Sequence, residues 1–459
     1  MMRSYKIMIM VLAIMLAGCS VQGKVQGTEK ESAKGGAKEI AQETKRGDKL
    51  DEGKIQNKRK FEDVFKDRTL RVDYYREGNR KRNDVKLAGY RDNQSPWAGS
   101  MTQMLDPFDN GQYRIVVREA STGEVIYSRC YNSIFQEYCS TPEGADSIVK
   151  YEEVVKVPWP TVAVVFEMQE RGDDQLFRTQ AEWKFDPERQ RQLPPTSRPQ
   201  PMGQRQPQRP EAVKLHTSGD VHRKMDIVIV PEGYGVADSA KMMEDFQQFV
   251  SFIFSNSPFK ERKEDFNIYG VKVFGRESGI SNPKKGVHVQ SAVGASYNTF
   301  GAERYLMTFN LFKLHDCLAG LPCDQIIIMA NSDIYGGGAI YNFYAISSLS
   351  KRSEHVLTHE LGHSIGGLAD EYVDEALSYG DMLALTHEPI EPNITTLVNF
   401  ESKWKTMMAN DSTLGTYEGA GYHAKGIYRP TPHCMMRDYA PFCPVCTRRL
   451  NEIFDLYCR

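Results

Sequence analysis

The chain has 459 residues, 58 Lys and Arg against 60 Asp and Glu, a formal net charge of -2 and 40% hydrophobic residues. That length exceeds one ordinary core and predicts two or three folded units. The balanced charge gives no case for nucleic acid or for any strongly charged partner.

Residues 1–18 read as a signal peptide. Arg3 and Lys6 supply positive charge, and residues 7–16 supply an apolar run too short to span a bilayer as a permanent helix. Leu16-Ala17-Gly18-Cys19 resembles the bacterial lipoprotein processing box. That resemblance implies acylation of Cys19, membrane attachment through an N-terminal lipid and a cell-envelope location. Ser20 stands where an aspartate favours inner-membrane retention, so the outer membrane is the expected site. Residues 19–60 are Lys, Glu, Gly and Gln with almost no large apolar side chain, and predict a disordered tether.

Residues 61–186 read as an all-β sandwich. Stretches 113–118, 125–127, 154–157 and 161–166 are rich in β-branched and aromatic residues. Turn signals such as Asp109-Asn110-Gly111 and Ser121-Thr122-Gly123 separate them. No catalytic constellation is visible in this part. Residues 187–211 are Pro-, Gln- and Arg-rich, as in an extended, solvated linker.

From residue 212 the pattern becomes α/β. Residues 225–230 form a run that is apolar apart from Asp226, the mark of a strand buried on both faces. An amphipathic helix is expected over 238–254, strands over 266–274 and 325–329, and a helix over 303–315. A strand over 339–347 follows, then a helix over 354–366 capped by Ser353. Alternating strands and helices predict a mainly parallel sheet.

That last helix carries His359-Glu360-Leu361-Gly362-His363. Positions four apart share a helix face, so both imidazoles can reach one ion. Zinc suits two neutral imidazoles and one further protein ligand, with the fourth position left to water. Glu360 can then accept a proton from that water. Gly366 and Gly367 end the helix and let the chain turn back, which makes Asp370 the expected third ligand. Glu371 is the close competitor, and His355, His423 and His433 are weaker ones. His355 precedes His359 by one turn, and three successive turns cannot all reach one tetrahedral ion.

After Cys19, eight cysteines remain, an even number that favours disulfides in an exported chain. Cys130 with Cys139 and Cys317 with Cys323 are the expected local pairs. Cys434, Cys443, Cys446 and Cys458 would pair among themselves in an order the sequence does not fix. Cys443-Pro444-Val445-Cys446 would make half of a zinc ribbon, but no second Cys-x-x-Cys exists to complete one.

The region around the histidines resembles the metzincin pattern, with Gly366 on the motif's glycine. Ala369 occupies the usual ligand position and Asp370 comes one residue late. Met435 and Met436 are candidates for the Met-turn beneath the metal. A closer resemblance is to the bacterial immunoglobulin A peptidase family of zinc metallo-endopeptidases. It is carried by residues 226–234 (DIVIVPEGY), 331–338 (NSDIYGGG), 359–372 (HELGHSIGGLADEY) and the Cys/Met-rich C-terminal stretch. This resemblance implies an α+β multidomain protein: an N-terminal all-β sandwich, then a metzincin-like α/β zinc metallopeptidase domain over 212–459. It also implies His359, His363 and Asp370 as Zn2+ ligands, Glu360 as catalytic base and a protein or peptide substrate, with a host glycoprotein as one such substrate.

An oxyanion needs a donor besides the metal. Tyr439 is the first candidate, with Tyr372 and Tyr341 as competitors. The strand over 339–347, entered through Gly336-Gly337-Gly338, would let a substrate add as a further strand. The rival expectation is a surface-binding lipoprotein whose β domain engages a host glycoprotein or glycan while the zinc is structural. No G-x-S-x-G elbow points to serine chemistry.

Overall fold

In the N-terminal part, β1 (Phe65–Asn79) carries period-2 alternation that supplies two different interfaces. A short helix α1 (Phe61–Val64) leads into it. There follow β2 (Arg82–Asp92), β3 (Tyr113–Glu119), β4 (Val125–Tyr131), α2 (Ile134–Ser140), β5 (Val149–Pro160), β6 (Val164–Arg171) and β7 (Phe177–Phe185). The strands form two antiparallel sheets, ordered β2-β1-β5 and β4-β3-β6-β7. Leu70, Val72 and Tyr74 of β1 meet Ile115, Val117, Phe166 and Met168 in one shared core. This is the sandwich expected from the strand composition. The computed structural model describes residues 59–190, 210–374 and 383–458. The signal peptide, Cys19, all but the last two residues of the tether and most of the linker lie outside them.

The C-terminal part is built on a six-stranded sheet. Its elements are β8 (Glu211–His216), β9 (Met225–Glu232), α3 (Ser239–Ile253), β10 (Phe266–Lys272), α4 (Leu311–Asp316), β11 (Gln325–Ala330), β12 (Gly337–Ile340), β13 (Tyr344–Ser348) and α5 (Ser353–Ser364). A hairpin of β14 (Tyr417–Ala420) and β15 (His423–Arg429) and the helix α6 (Pro444–Tyr457) complete it. The sheet order is β12-β13-β11-β9-β10-β8. The four inner strands are parallel, and β12 and β8 run antiparallel at the edges. β9 is buried at every position. Ile227 and Ile229 enter the core formed with α3, α5 and α6, while Val228 and Val230 enter the core on the other face. A strand packed on both faces has no polar side to show, hence the apolar run from Ile227 to Val230.

Several local expectations change. The helix expected over 303–315 shrinks to α4, because Met307 and Tyr305 are drawn into bridges with Ser296 and Gly337. The strand expected over 339–347 is a hairpin, β12 and β13, turning at Asn342 with φ +54°. Asn tolerates that left-handed geometry. Ser353 does not cap α5: Arg352 holds that position, and the Ser353 hydroxyl donates to the Ser348 and Ser350 carbonyls. None of the eight cysteines after Cys19 forms a disulfide, which overturns the expected Cys130–Cys139 and Cys317–Cys323 bridges and the expected pairing among Cys434, Cys443, Cys446 and Cys458. Local bonds occupy the second pair, with Cys317 Sγ donating to Lys313 O and Cys323 Sγ to Gln325 O. No helix among the described residues is long and apolar enough to cross a membrane.

The two parts are joined by buried polar groups. Arg71, on the face of β1 away from the sandwich core, is fully buried and sits between Asp73 at 2.6 Å and Asp316 of α4 at 2.6 Å. It also donates to Phe312 O. Asn110 reaches Gly367 O, Asn132 N donates to Tyr341 O, and Phe312 N donates to Glu152. Removing one partner of a buried ion pair strands the others, at a cost of about 3–5 kcal/mol. Arg71→Met is therefore expected to lower the thermal unfolding midpoint clearly. An unchanged midpoint would mean the interface does not depend on this charge.

Candidate metal centre

The helix α5 lies on the sheet through Val356, Leu357 and Leu361, which are buried. The opposite face points into a cleft of about 1100 Å³. On that face the His359 and His363 rings stand 4.8 Å apart, with their Nε2 atoms 3.1 Å apart. Beyond α5 the chain reverses at Gly367, with φ +59°. A Cβ there would meet Asn110 Nδ2 at 2.1 Å, so both the turn and the close approach require glycine. Of the two expected helix-ending glycines, only Gly367 uses a left-handed conformation.

The reversal returns Asp370 to the histidines. Its Oδ1 lies 3.0 Å from His359 Nε2 and 3.4 Å from His363 Nε2. Ligands about 2.1 Å from an ion at tetrahedral angles stand roughly 3.4 Å from each other, so these three atoms fit one face of such a site. Asp370 Oδ1 is buried without a hydrogen-bond donor. The far side of each ring is tied to main chain: His359 Nδ1 to Met435 O at 2.9 Å and His363 Nδ1 to Leu368 O at 2.6 Å. A donating Nδ1–H leaves each Nε2 lone pair facing the common point. The residues fit a divalent metal ion.

Glu360 lies beside them in the same cleft. Burial raises its carboxyl above the usual range, against the pull of both histidines. Its Oε1 lies near the edge strand β12, where a Cβ on Gly337 would come within 3.1 Å of it. Glycine at that position gives Glu360 its room. Gly362 has a matching role on the other side of α5, where a Cβ would meet Met436 Sδ at 2.5 Å. The two methionines therefore divide the work. Met436 packs under the helix, and Met435 offers the carbonyl that orients His359.

The other sequence candidates separate cleanly. Glu371 turns away from Asp370 into a cluster with Cys434, Cys443 and Cys446. His355 is 6.2 Å from His359 by ring centroids and stacks on Tyr439 at 4.2 Å. His433 is exposed and pairs with Asp438, and neither it nor His423 joins the ligand group. Tyr439 is 65% exposed at the cleft. Tyr341 is buried with its hydroxyl unpartnered, and Tyr372 packs edge-on against Tyr422.

Tyr422, which sequence patterning did not pick out, donates to Asp370 Oδ2. Its φ of +68° follows the left-handed Gly421, whose N–H donates to Asp370 O. The glycine-rich Gly419-Ala420-Gly421 turn was the available signal. Glu137, from the N-terminal part, also lines the cleft and accepts from Tyr305. Burial raises its carboxyl to about 7.

A family profile described as "IgA Peptidase M64" matches residues 213–414 and 408–454. A second, "Peptidase M64 N-terminus", matches residues 60–182. The chain belongs to the IgA peptidase M64 family. No curated protein matches it. Membership makes the chain a peptidase acting on protein or peptide, and its β-rich part is the N-terminal domain of an M64 peptidase.

Without a metal, burial opposes charge on His363, but the Asp370 carboxylate prevails and raises it to about 9. The ion must displace that proton, so metal binding weakens as pH falls below about 9. The His363 proton alone makes the loss about tenfold per pH unit. Competition with a calibrated chelator between pH 6 and 9 reads this slope, and a flat profile would contradict it. In the same titration Tyr422→Phe is expected to weaken metal binding about 10–100-fold by freeing Asp370.

Proposed function

We propose that this M64 peptidase is an exported, lipid-anchored zinc endopeptidase that uses Glu360 as its proton-transferring group. The observation that carries the reading is the position of Glu360. It stands between three converging donor atoms and an edge strand, in a cleft open to solvent. Two imidazoles and a carboxylate suit zinc among the divalent ions. Held by His359, His363 and Asp370, zinc would supply Lewis-acid polarisation of a water and of the scissile carbonyl.

Glu360 takes the proton from the attacking water and later gives it to the leaving amine. Its raised affinity for a proton suits both steps. Tyr439, which lines the same cleft, is our assignment for the donor to the developing oxyanion. The substrate backbone lies along β12. Gly337 already exchanges hydrogen bonds with Arg304 and Leu306, and Tyr341 O is taken by Asn132. Ala339, between them on the same edge by strand alternation, is left to pair with the substrate. An added strand presents internal peptide bonds to Glu360, which favours endopeptidase action.

The binding-lipoprotein alternative requires a closed, structural site. Among the described residues, only three metal-binding side chains converge at His359, and the adjoining Glu360 would have no task. The preferred substrate is a host glycoprotein of the immunoglobulin type, as the family description suggests.

Glu360→Gln is expected to lower kcat by about 10²–10⁴-fold with zinc content unchanged. Tyr439→Phe should cost about 10²–10³-fold in kcat with little change in KM. Proteome-wide cleavage profiling with and without chelator provides the assay, and full activity in Glu360→Gln would remove that residue from the chemistry. For the anchor, Cys19→Ala should move the protein from the membrane fraction to the soluble one. Unchanged membrane partition would exclude acylation there.

A further inference from the structure

We infer that Glu371, Cys434, Cys443 and Cys446 form a second, structural zinc site, separate from the one at His359. The four side chains each offer one donor atom, and these atoms all lie within 4.8 Å of one another. All four residues are buried, and Glu371 is 0% exposed. Cys434 Sγ and Cys446 Sγ are 3.7 Å apart. A disulfide needs about 2.05 Å. Two thiolates on one tetrahedral zinc, with Zn–S near 2.3 Å, stand about 3.8 Å apart. Cys446 Sγ lies 3.4 Å from Glu371 Oε1, close to the separation that a thiolate and a carboxylate oxygen take on one ion.

The backbone is arranged for thiolates. Cys443 N–H points to Cys434 Sγ at 3.4 Å, and Cys446 N–H points to Cys443 Sγ at 3.5 Å. Cys443 is also the N-cap of α6, where the helix dipole favours a negative sulfur. Glu371 Oε1 accepts from Asn393, which fixes the carboxylate, while Oε2 is buried with no hydrogen-bond partner. An orphaned carboxylate oxygen among three thiols is costly unless a cation is present. Three sulfurs and one carboxylate close a tetrahedron, the pattern of a structural zinc site, whereas the His359 site has three ligands and an open side.

The position gives this second ion a task. Glu371 follows Asp370 directly, and its N–H donates to Met436 O. Cys434 precedes Met435, whose carbonyl orients His359. An ion here ties the Asp370 loop, the Met435 carbonyl and the start of α6 to one point.

The test is metal stoichiometry on the purified full chain. About two zinc ions per chain are expected, and a mercurial thiol reagent should release about half of them. His359→Ala should keep about one zinc, all released by the mercurial. When refilled with Co2+, that variant should display the intense thiolate-to-cobalt absorption in the near ultraviolet. Cys446→Ser should lose about one zinc if it folds; the mercurial and cobalt measurements do not need that variant. Zinc lost entirely in His359→Ala would overturn the inference, as would a mapped disulfide among Cys434, Cys443 and Cys446. If the native chain holds about one zinc, retained in His359→Ala with the thiolate signature, the second site stands and the proposed site at His359 falls.

Discussion

A buried carboxylate held against two imidazoles is the constraint on which this molecule is organised. Asp370 can stay charged inside the protein only because His359 and His363 face it, and their attraction overcomes the cost of burial. Neither ring is free to turn away, since Met435 and Leu368 carbonyls hold the opposite nitrogens. The helix α5 and the reversal through Gly367 that directly follows it must therefore meet a segment distant in sequence, the strap at Met435. Gly337 and Gly362 mark where β12 and Met436 approach α5 more closely than a side chain would permit, and Gly367 marks the same for Asn110 and Tyr341.

Asp370 and Glu371 are neighbours in sequence that serve different surroundings. The first faces an open cleft shared with Glu360, and the second faces three buried sulfurs. Tyr422 and Asn393 hold the two carboxylates from separate sides. One short loop thus brings one carboxylate to the cleft and, next to it, another to the buried sulfurs. Carboxylates fixed by neighbouring donors in this way keep their geometry without reorganisation.

The N-terminal domain is part of the same construction. Its sandwich has its own core, but the other face of β1 carries Arg71 and Asp73 into the joint with α4. Glu137 and Arg171 extend from it to the wall of the cleft. The region in which sequence patterning found no catalytic constellation helps to shape the space in which a substrate must lie.

The amino-acid sequence by itself determined what depends on local spacing. The i, i+4 placement of His359 and His363, the apolar run of β9 and the β-branched and aromatic composition of β3 and β6 each carry their structural meaning within a few residues. It also made Asp370 the expected third ligand and Glu371 its close competitor, ahead of His355, His423 and His433. Only tertiary structure separated those two, because the choice rests on which way each side chain turns after Gly367. The same holds for the cysteines: counting favoured disulfides, while folding set the Cys434 and Cys446 sulfurs 3.7 Å apart with no disulfide formed. β1 was obscured by Arg71 and Asp73, charges that read as solvent-facing until their partners across the joint are known. Glu137 was invisible for that reason as well, and at Tyr422 the neighbouring Gly419-Ala420-Gly421 turn was the one signal. Their roles arise from atoms distant in the chain, and linear spacing carries no information about such contacts.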